Sequence, residues 1–144
     1  YEVFTSPRRV RFEEMEYAVP REHGLEAFDR VRRLIDSLER PVGFPIEFRV
    51  LGADDVPLST ADGRDSCYIA VHVFRRTPSE EYFRGVEAIM DDYGGRPHWG
   101  KVHFQTAATL AGRYPQWGRF QAARDRLDPT RRFANPYLAA VLGP

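Results

Sequence analysis

Two residues apart in the stretch PIEFRV stand Glu47 and Arg49. The segment alternates apolar and polar residues as a strand does, so both side chains leave one face and can share a small polar ligand. The plainer reading is an exposed ion pair, which stabilises little. Spacing alone leaves both open. The stretch GGRPHWGKVHF, residues 94–104, holds Lys101, the single lysine beside twenty arginines. An ammonium is a compact charge with three rotatable donors, whereas a guanidinium is a planar fork. A lone lysine therefore suggests a site too tight for arginine, although chance codon usage also explains it. His72 shares a face with Tyr68, Ala70 and Phe74 in an otherwise apolar run, as a hydrogen-bonded core residue or as a group facing a ligand.

The elements that must position these residues can be read from periodicity. VRFEEMEYAV, residues 10–19, is strand-like but changes phase between Val10 and Phe12 on one parity and Met15, Tyr17 and Val19 on the other. A bulge near Glu13–Glu14 would reconcile them. Apolar residues at Leu25, Phe28, Val31, Leu34, Ile35 and Leu38 recur at helical spacing, and Pro41 ends that helix. FPIEFRVLG sets Ile46, Phe48 and Val50 against Glu47, Arg49 and Leu51, and CYIAVHVF is apolar on both faces, as in a central strand. TPSE predicts a second helix with Thr77 as N-cap, Pro78 at its first position and Glu80 completing a capping box. Gly94 and Gly95 stop it.

A fourth strand over 98–104 would set Trp99, Lys101 and His103 on one face and His98, Gly100, Val102 and Phe104 on the other. Gly100 would then permit close approach of a ligand. His98 and His103 lie on opposite faces without a third ligand at suitable spacing, which argues against zinc. A helix from about Trp117 to Leu127, ended by Pro129, and a closing segment follow. The order β-α-β-β-α-β, then helix and tail, predicts an α+β fold: an antiparallel or mixed sheet with helices on one face.

The chain has 144 residues, enough for one domain, and balances 21 basic against 21 acidic residues. Interleaved charge of this kind gives no field for nucleic acid or an anionic membrane. A single cysteine, Cys67, forms no internal disulfide and fits a reducing compartment, so the expected location is the cytoplasm, with membrane association of the full-length protein as the alternative. No apolar run approaches the roughly 20 residues of a membrane span. No G-x-G-x-x-G, P-loop or nucleophile elbow is present.

Several stretches together resemble one family: FEEMEYAVP, PIEFRV, DDVPLSTADGRDSCYIAVHVF, GGRPHWGKVHF and RYPQWGRFQAARDRLDPTRRFANPYL. In this order they are similar to the C-terminal part of the sugar-1,4-lactone oxidases and dehydrogenases, relatives of the alditol oxidases in the vanillyl-alcohol oxidase superfamily. The resemblance implies a flavoenzyme whose FAD is bound mainly by an N-terminal domain absent from these residues. It makes residues 1–144 a single substrate or cap domain, with a tail from about 112 that packs on the FAD domain. By the same resemblance, Glu47 and Arg49 match a Glu-x-Arg pair that contacts substrate hydroxyls. Lys101 matches the lysine of a His-Trp-Gly/Ala-Lys motif near flavin and substrate, His98 of the same motif is carried as a second cofactor contact, and His72 is carried as a substrate contact. The implied activity oxidises a hydroxyl of an aldono-1,4-lactone, with hydride transfer to flavin N5.

The alternatives are an alditol oxidase cap and a stand-alone α+β binding module without flavin. The fragment by itself is expected to be inactive. The surface facing the FAD domain is expected to be apolar or aromatic, including Trp99, Phe104 or the Pro136–Leu142 tail. Such a surface would also be open to homodimerisation.

Overall fold

The computed structural model describes residue 5 and residues 9–144. Strand β1 spans Phe12–Pro20 and helix α1 spans Gly24–Ser37, entered through a turn of 3-10 helix at Arg21–His23. Strands β2, Glu47–Leu51, and β3, Ser66–Phe74, follow, then helix α2, Glu80–Asp91, and strand β4, Arg96–Pro97. Three short helices close the chain: α3, Ala107–Leu110; α4, Trp117–Leu127; and α5, Pro136–Leu142. The sheet order is β2-β3-β1-β4 with every neighbour antiparallel. This is the split β-α-β arrangement, an α+β fold in which β3 enters between the two strands that α1 connects.

Alternation decides which side of the sheet is core. Met15, Tyr17 and Val19 of β1 and Cys67, Ile69, Val71 and Val73 of β3 are buried on one face. Above them lie Ala27 and Val31 of α1 and Phe83, Val86, Ile89 and Met90 of α2. The two helices approach closely at Gly85, where a methyl group would stand 2.9 Å from Leu34 Cδ2. Leu25, counted in the sequence stripe of α1, is exposed, because the buried stripe runs through Gly24, Ala27 and Val31.

Three local expectations are corrected. β1 has no bulge: it pairs with β3 without interruption from Phe12↔Phe74 to Pro20↔Ser66. Val10 precedes the strand and is exposed, while Phe12 shares the parity of Glu14 and Glu16 and packs on the rings of Phe44 and His72. The capping box at Thr77 does not form. The Thr77 amide turns back to Phe74 O at 3.0 Å after Arg76 takes a left-handed φ of 78°. The N-cap is Ser79, and its hydroxyl donates to Glu13 Oε2 at 2.9 Å rather than to the helix. Tertiary pairing has displaced a local signal. At the other end the glycines act as read: Gly94 has φ 59°, and the Gly95 amide returns to Met90 O at 2.9 Å.

The third correction bears on the site. The fourth strand is only Arg96–Pro97, not 98–104. Regular pairing with β1 would set Gly100 opposite Glu14. Instead His98 N–H donates to Glu16 O at 2.9 Å and Val102 N–H to Glu14 O at 2.9 Å, with residues 99–101 looped out between them. Lys101 N–H closes this loop on His98 O at 3.1 Å. The irregularity expected in β1 lies in its partner. Trp99, Lys101 and His103 therefore do not share a strand face.

Candidate functional site

The face of the sheet turned away from α1 and α2 is ionic. It collects Glu14 and Glu16 from β1, Tyr68, Ala70 and His72 from β3, and Glu47 and Arg49 from β2, all at one parity of the cross-strand register. Glu16 and Glu47 both pair with Ala70. That methyl group leaves room for Arg49 to reach across β3 to Glu16 Oε1, with its guanidinium 5.5 Å from the Tyr68 ring centroid. Glu47 is held loosely, its Oε2 standing 4.0 Å from Arg49 Nε. A larger residue at 70 would block the crossing.

Lys101 arrives from the loop after β4. Its ammonium donates to Glu14 Oε1 and to Glu16 Oε2. The two glutamates thus hold the loop twice: their backbone carbonyls bind its ends, and their carboxylates bind the charge near its tip. Glu16 is 1% exposed and Lys101 18%, while Arg49 is 56% exposed at the open side. Burial pulls the Lys101 pKa down, but the hydrogen bonds and charges of Glu14 and Glu16 outweigh it, leaving the group above its ordinary value.

His72 is buried beyond Glu14. Its Nδ1 lies 3.2 Å from Pro45 O, which can only accept, so Nδ1 carries a hydrogen. Its Nε2 lies 3.1 Å from Glu14 Oε1. The ring stacks on Phe44 at 4.9 Å, and the edge of Phe12 meets it at 5.4 Å. The face thus gathers the acids Glu14, Glu16 and Glu47, the cations Arg49 and Lys101, and the imidazole of His72. A continuous chain of polar contacts runs from Glu47 through Arg49, Glu16, Lys101 and Glu14 to His72. Such a face can bind and orient a neutral, hydroxyl-rich ligand without attracting polyanions.

Residues 1–141 match the D-arabinono-1,4-lactone oxidase family. The chain belongs to that family. It is 62% identical over its whole length to an L-gulono-1,4-lactone dehydrogenase of Mycobacterium tuberculosis, covering 34% of that protein. It is 36% identical to an L-gulonolactone oxidase of Bos taurus, over 98% of this chain and 33% of the other. With an alditol oxidase of a Streptomyces species it shares 37% identity over 88% of its length and 31% of the relative's. The chain thus spans about a third of the length of these relatives.

Of the residues singled out in this family member's sequence, Glu47, Arg49, Lys101 and His72 meet in the one network. His98 does not join it: the residue is exposed, and its Nδ1 accepts the Gly100 amide at 3.1 Å. His103 points elsewhere too. Its Nδ1 accepts the Gln105 amide at 3.3 Å, so Nε2 carries the hydrogen toward Tyr137 Oη at 2.9 Å. Burial lowers the His103 pKa, and Tyr137 donates in turn to the Trp99 carbonyl. Helix α5 is thereby latched to the loop that carries Lys101.

Trp99 packs into a second apolar cluster with Leu110, Tyr114, Trp117 and Val141, its Nε1 donating to Leu58 O at 3.0 Å. Phe104 packs on the main core beneath Arg84. Of the expected surface, Tyr137 of the Pro136–Leu142 tail is exposed, and Leu127 and Phe133 are exposed beside it in the sequence. The residues that sequence reasoning missed are Glu14 and Glu16. Their signal was present, two acids at one parity opposite Met15, Tyr17 and Val19, and the supposed bulge concealed it.

Proposed function

We propose that this chain is the substrate-holding part of an FAD-dependent sugar-lactone oxidoreductase, and that the ionic face of its sheet binds the hydroxyl that is oxidised. The observation that carries the reading is the shared buried carboxylate of Glu16, which fixes Arg49 and Lys101 on one open face. The names of its relatives support the substrate class, a small neutral 1,4-lactone. When bound, FAD supplies the acceptor for the hydrogen that leaves the substrate carbon. The residues present fit such a group. Lys101 keeps one N–H beyond the two it gives to Glu14 and Glu16, suited to the electronegative edge of an isoalloxazine ring.

Arg49, anchored by Glu16, donates to the substrate hydroxyl oxygen and orients it. Glu47 takes the hydroxyl proton, since the guanidinium beside it has no lone pair to accept one. The Lys101 charge stabilises negative charge that develops nearby during the transfer. A tail from about residue 112 would pack on the FAD-binding domain. Supporting this is an apolar groove of about 370 Å³ between α4 and α5, lined by Phe120, Leu127, Phe133, Leu138 and Leu142.

The test is Lys101→Ala in the full-length protein, mixed rapidly and anaerobically with L-gulono-1,4-lactone and, in parallel, with an alditol. Loss of one preorganised charge is expected to slow flavin reduction about 10²–10³-fold. The melting temperature should fall as well, because Glu14 and Glu16 lose their shared cation, so both proteins are compared well below it. A wild-type reduction rate would overturn the reading, and faster turnover of the alditol would move the substrate class.

A further inference from the structure

We propose that Glu14 and Glu16 are positioning residues, which hold the Lys101 ammonium by two of its N–H groups so that the third is presented to the ligand. The inference rests on the reading of Lys101 given above. Three observations carry it. First, the two carboxylates stand two residues apart on a central strand, both on the ionic face, and each bonds the same nitrogen. Second, the third N–H has no partner among the described residues, while the side chain is 18% exposed. Third, Glu16 is 1% exposed and spends its other oxygen on Arg49, so one carboxylate sets the spacing of both cations.

The geometry also explains why this position holds an ammonium. Donors on a tetrahedral nitrogen can serve two carboxylates and still point one bond in a third direction. A guanidinium has all its donors in one plane, so pairing both carboxylates would turn its remaining N–H groups along the sheet. The positions of the two glutamates are themselves over-determined. Their backbone carbonyls bind His98 and Val102 on either side of the loop, so a shift of β1 would move loop and charge together. Around the ammonium, β1 contributes Glu14 and Glu16 directly, and β3 contributes His72 through Glu14 and Tyr68 under Arg49. β2 contributes Arg49 and Glu47 through Glu16, and the chain near Lys101 carries His98 and His103. Removing one carboxylate therefore leaves the other to hold the lysine by a single bond.

The experiment uses the full-length protein and the variants Glu16→Gln and Glu14→Gln, each an acceptor of similar shape without the charge. Lysine labelled with carbon-13 at Cε reports the titration of Lys101, assigned as the resonance lost in Lys101→Arg. The midpoint is expected to fall in both variants, without any need for substrate or turnover. In stopped-flow flavin reduction, the maximal rate is expected to fall about 10- to 100-fold, as for residues that orient a functional group. The alkaline limb of its pH profile should move down with the NMR midpoint. A lowered melting temperature with unchanged midpoint and unchanged limb would show a merely structural role and overturn the proposal. If Glu16→Gln does not fold, Glu14→Gln carries the test, since Glu14 is partly exposed. If Lys101→Ala reduces its flavin at the wild-type rate, the reading of the face fails. The NMR midpoints then still report whether the glutamates hold the ammonium.

Discussion

The two faces of β1 are built by the same residues in alternation, yet they are held by different physics. Met15 and Val19 enter a core made with α1 and α2, where any apolar side chain of suitable volume contributes its buried area, and Tyr17 adds one bond from its hydroxyl to Glu87. Glu14 and Glu16, on the other side, are satisfied by Lys101, Arg49 and His72, each from a different element. An apolar face needs cover, whereas a buried carboxylate needs particular partners at bonding distance. The first side tolerates local error. The second exists only when three distant pieces of chain have arrived.

That contrast can be broken in order of expected effect. Glu16→Ala strips two cations of one buried partner and is expected to cost about 4 kcal/mol in urea unfolding. A cost under about 1 kcal/mol would mean that the ionic face contributes no more than a surface pair. Met15→Ala, on the other side of the same strand, should cost about 3 kcal/mol from lost transfer energy and the cavity left behind. Added salt should change the Glu16→Ala penalty and leave that of Met15→Ala nearly unaltered.

Smaller is the pH term. The Lys101 pKa in the folded protein lies above its ordinary 10.5, so its stabilising contribution is full below that value and is lost as pH rises through the folded pKa. The melting-temperature gap between wild type and Lys101→Met should therefore hold steady up to about pH 10 and shrink above it. A gap that widened with alkalinity would contradict the sign. Smallest is Arg32→Gln, which removes exposed pairs to Asp29 and Asp36 along α1 and should leave the melting temperature unchanged within error.

Much of the fold was legible because periodicity reports burial directly. The order β-α-β-β-α-β, the central place of β3 and the bounds of α4 all follow from apolar spacing and from breakers such as Pro129 and the Gly94–Gly95 pair. What misled was local inference about irregular backbone. Phe12 looked like a phase error because an aromatic residue at the end of a polar face was not anticipated, and its role is to cover His72. Thr77 offered a good cap, but Ser79 had a tertiary partner in Glu13. In the 98–104 segment, strand parity grouped Trp99, Lys101 and His103. The looped-out turn sends the first to an apolar cluster, the second to two glutamates and the third to α5.

By itself the sequence determined the class of fold and the family, and it drew attention to the two cations of the ionic face: one ammonium and one guanidinium among many arginines. Residue type and spacing carry that information, because alternation and helical period are properties of the chain alone. Only the tertiary structure decided that Glu14 and Glu16 are their partners. The bonds join residues up to 87 positions apart, across strands whose register no local pattern states. A charge is recognisable in a sequence. The counter-charge that makes it useful is a matter of which strands come to lie side by side.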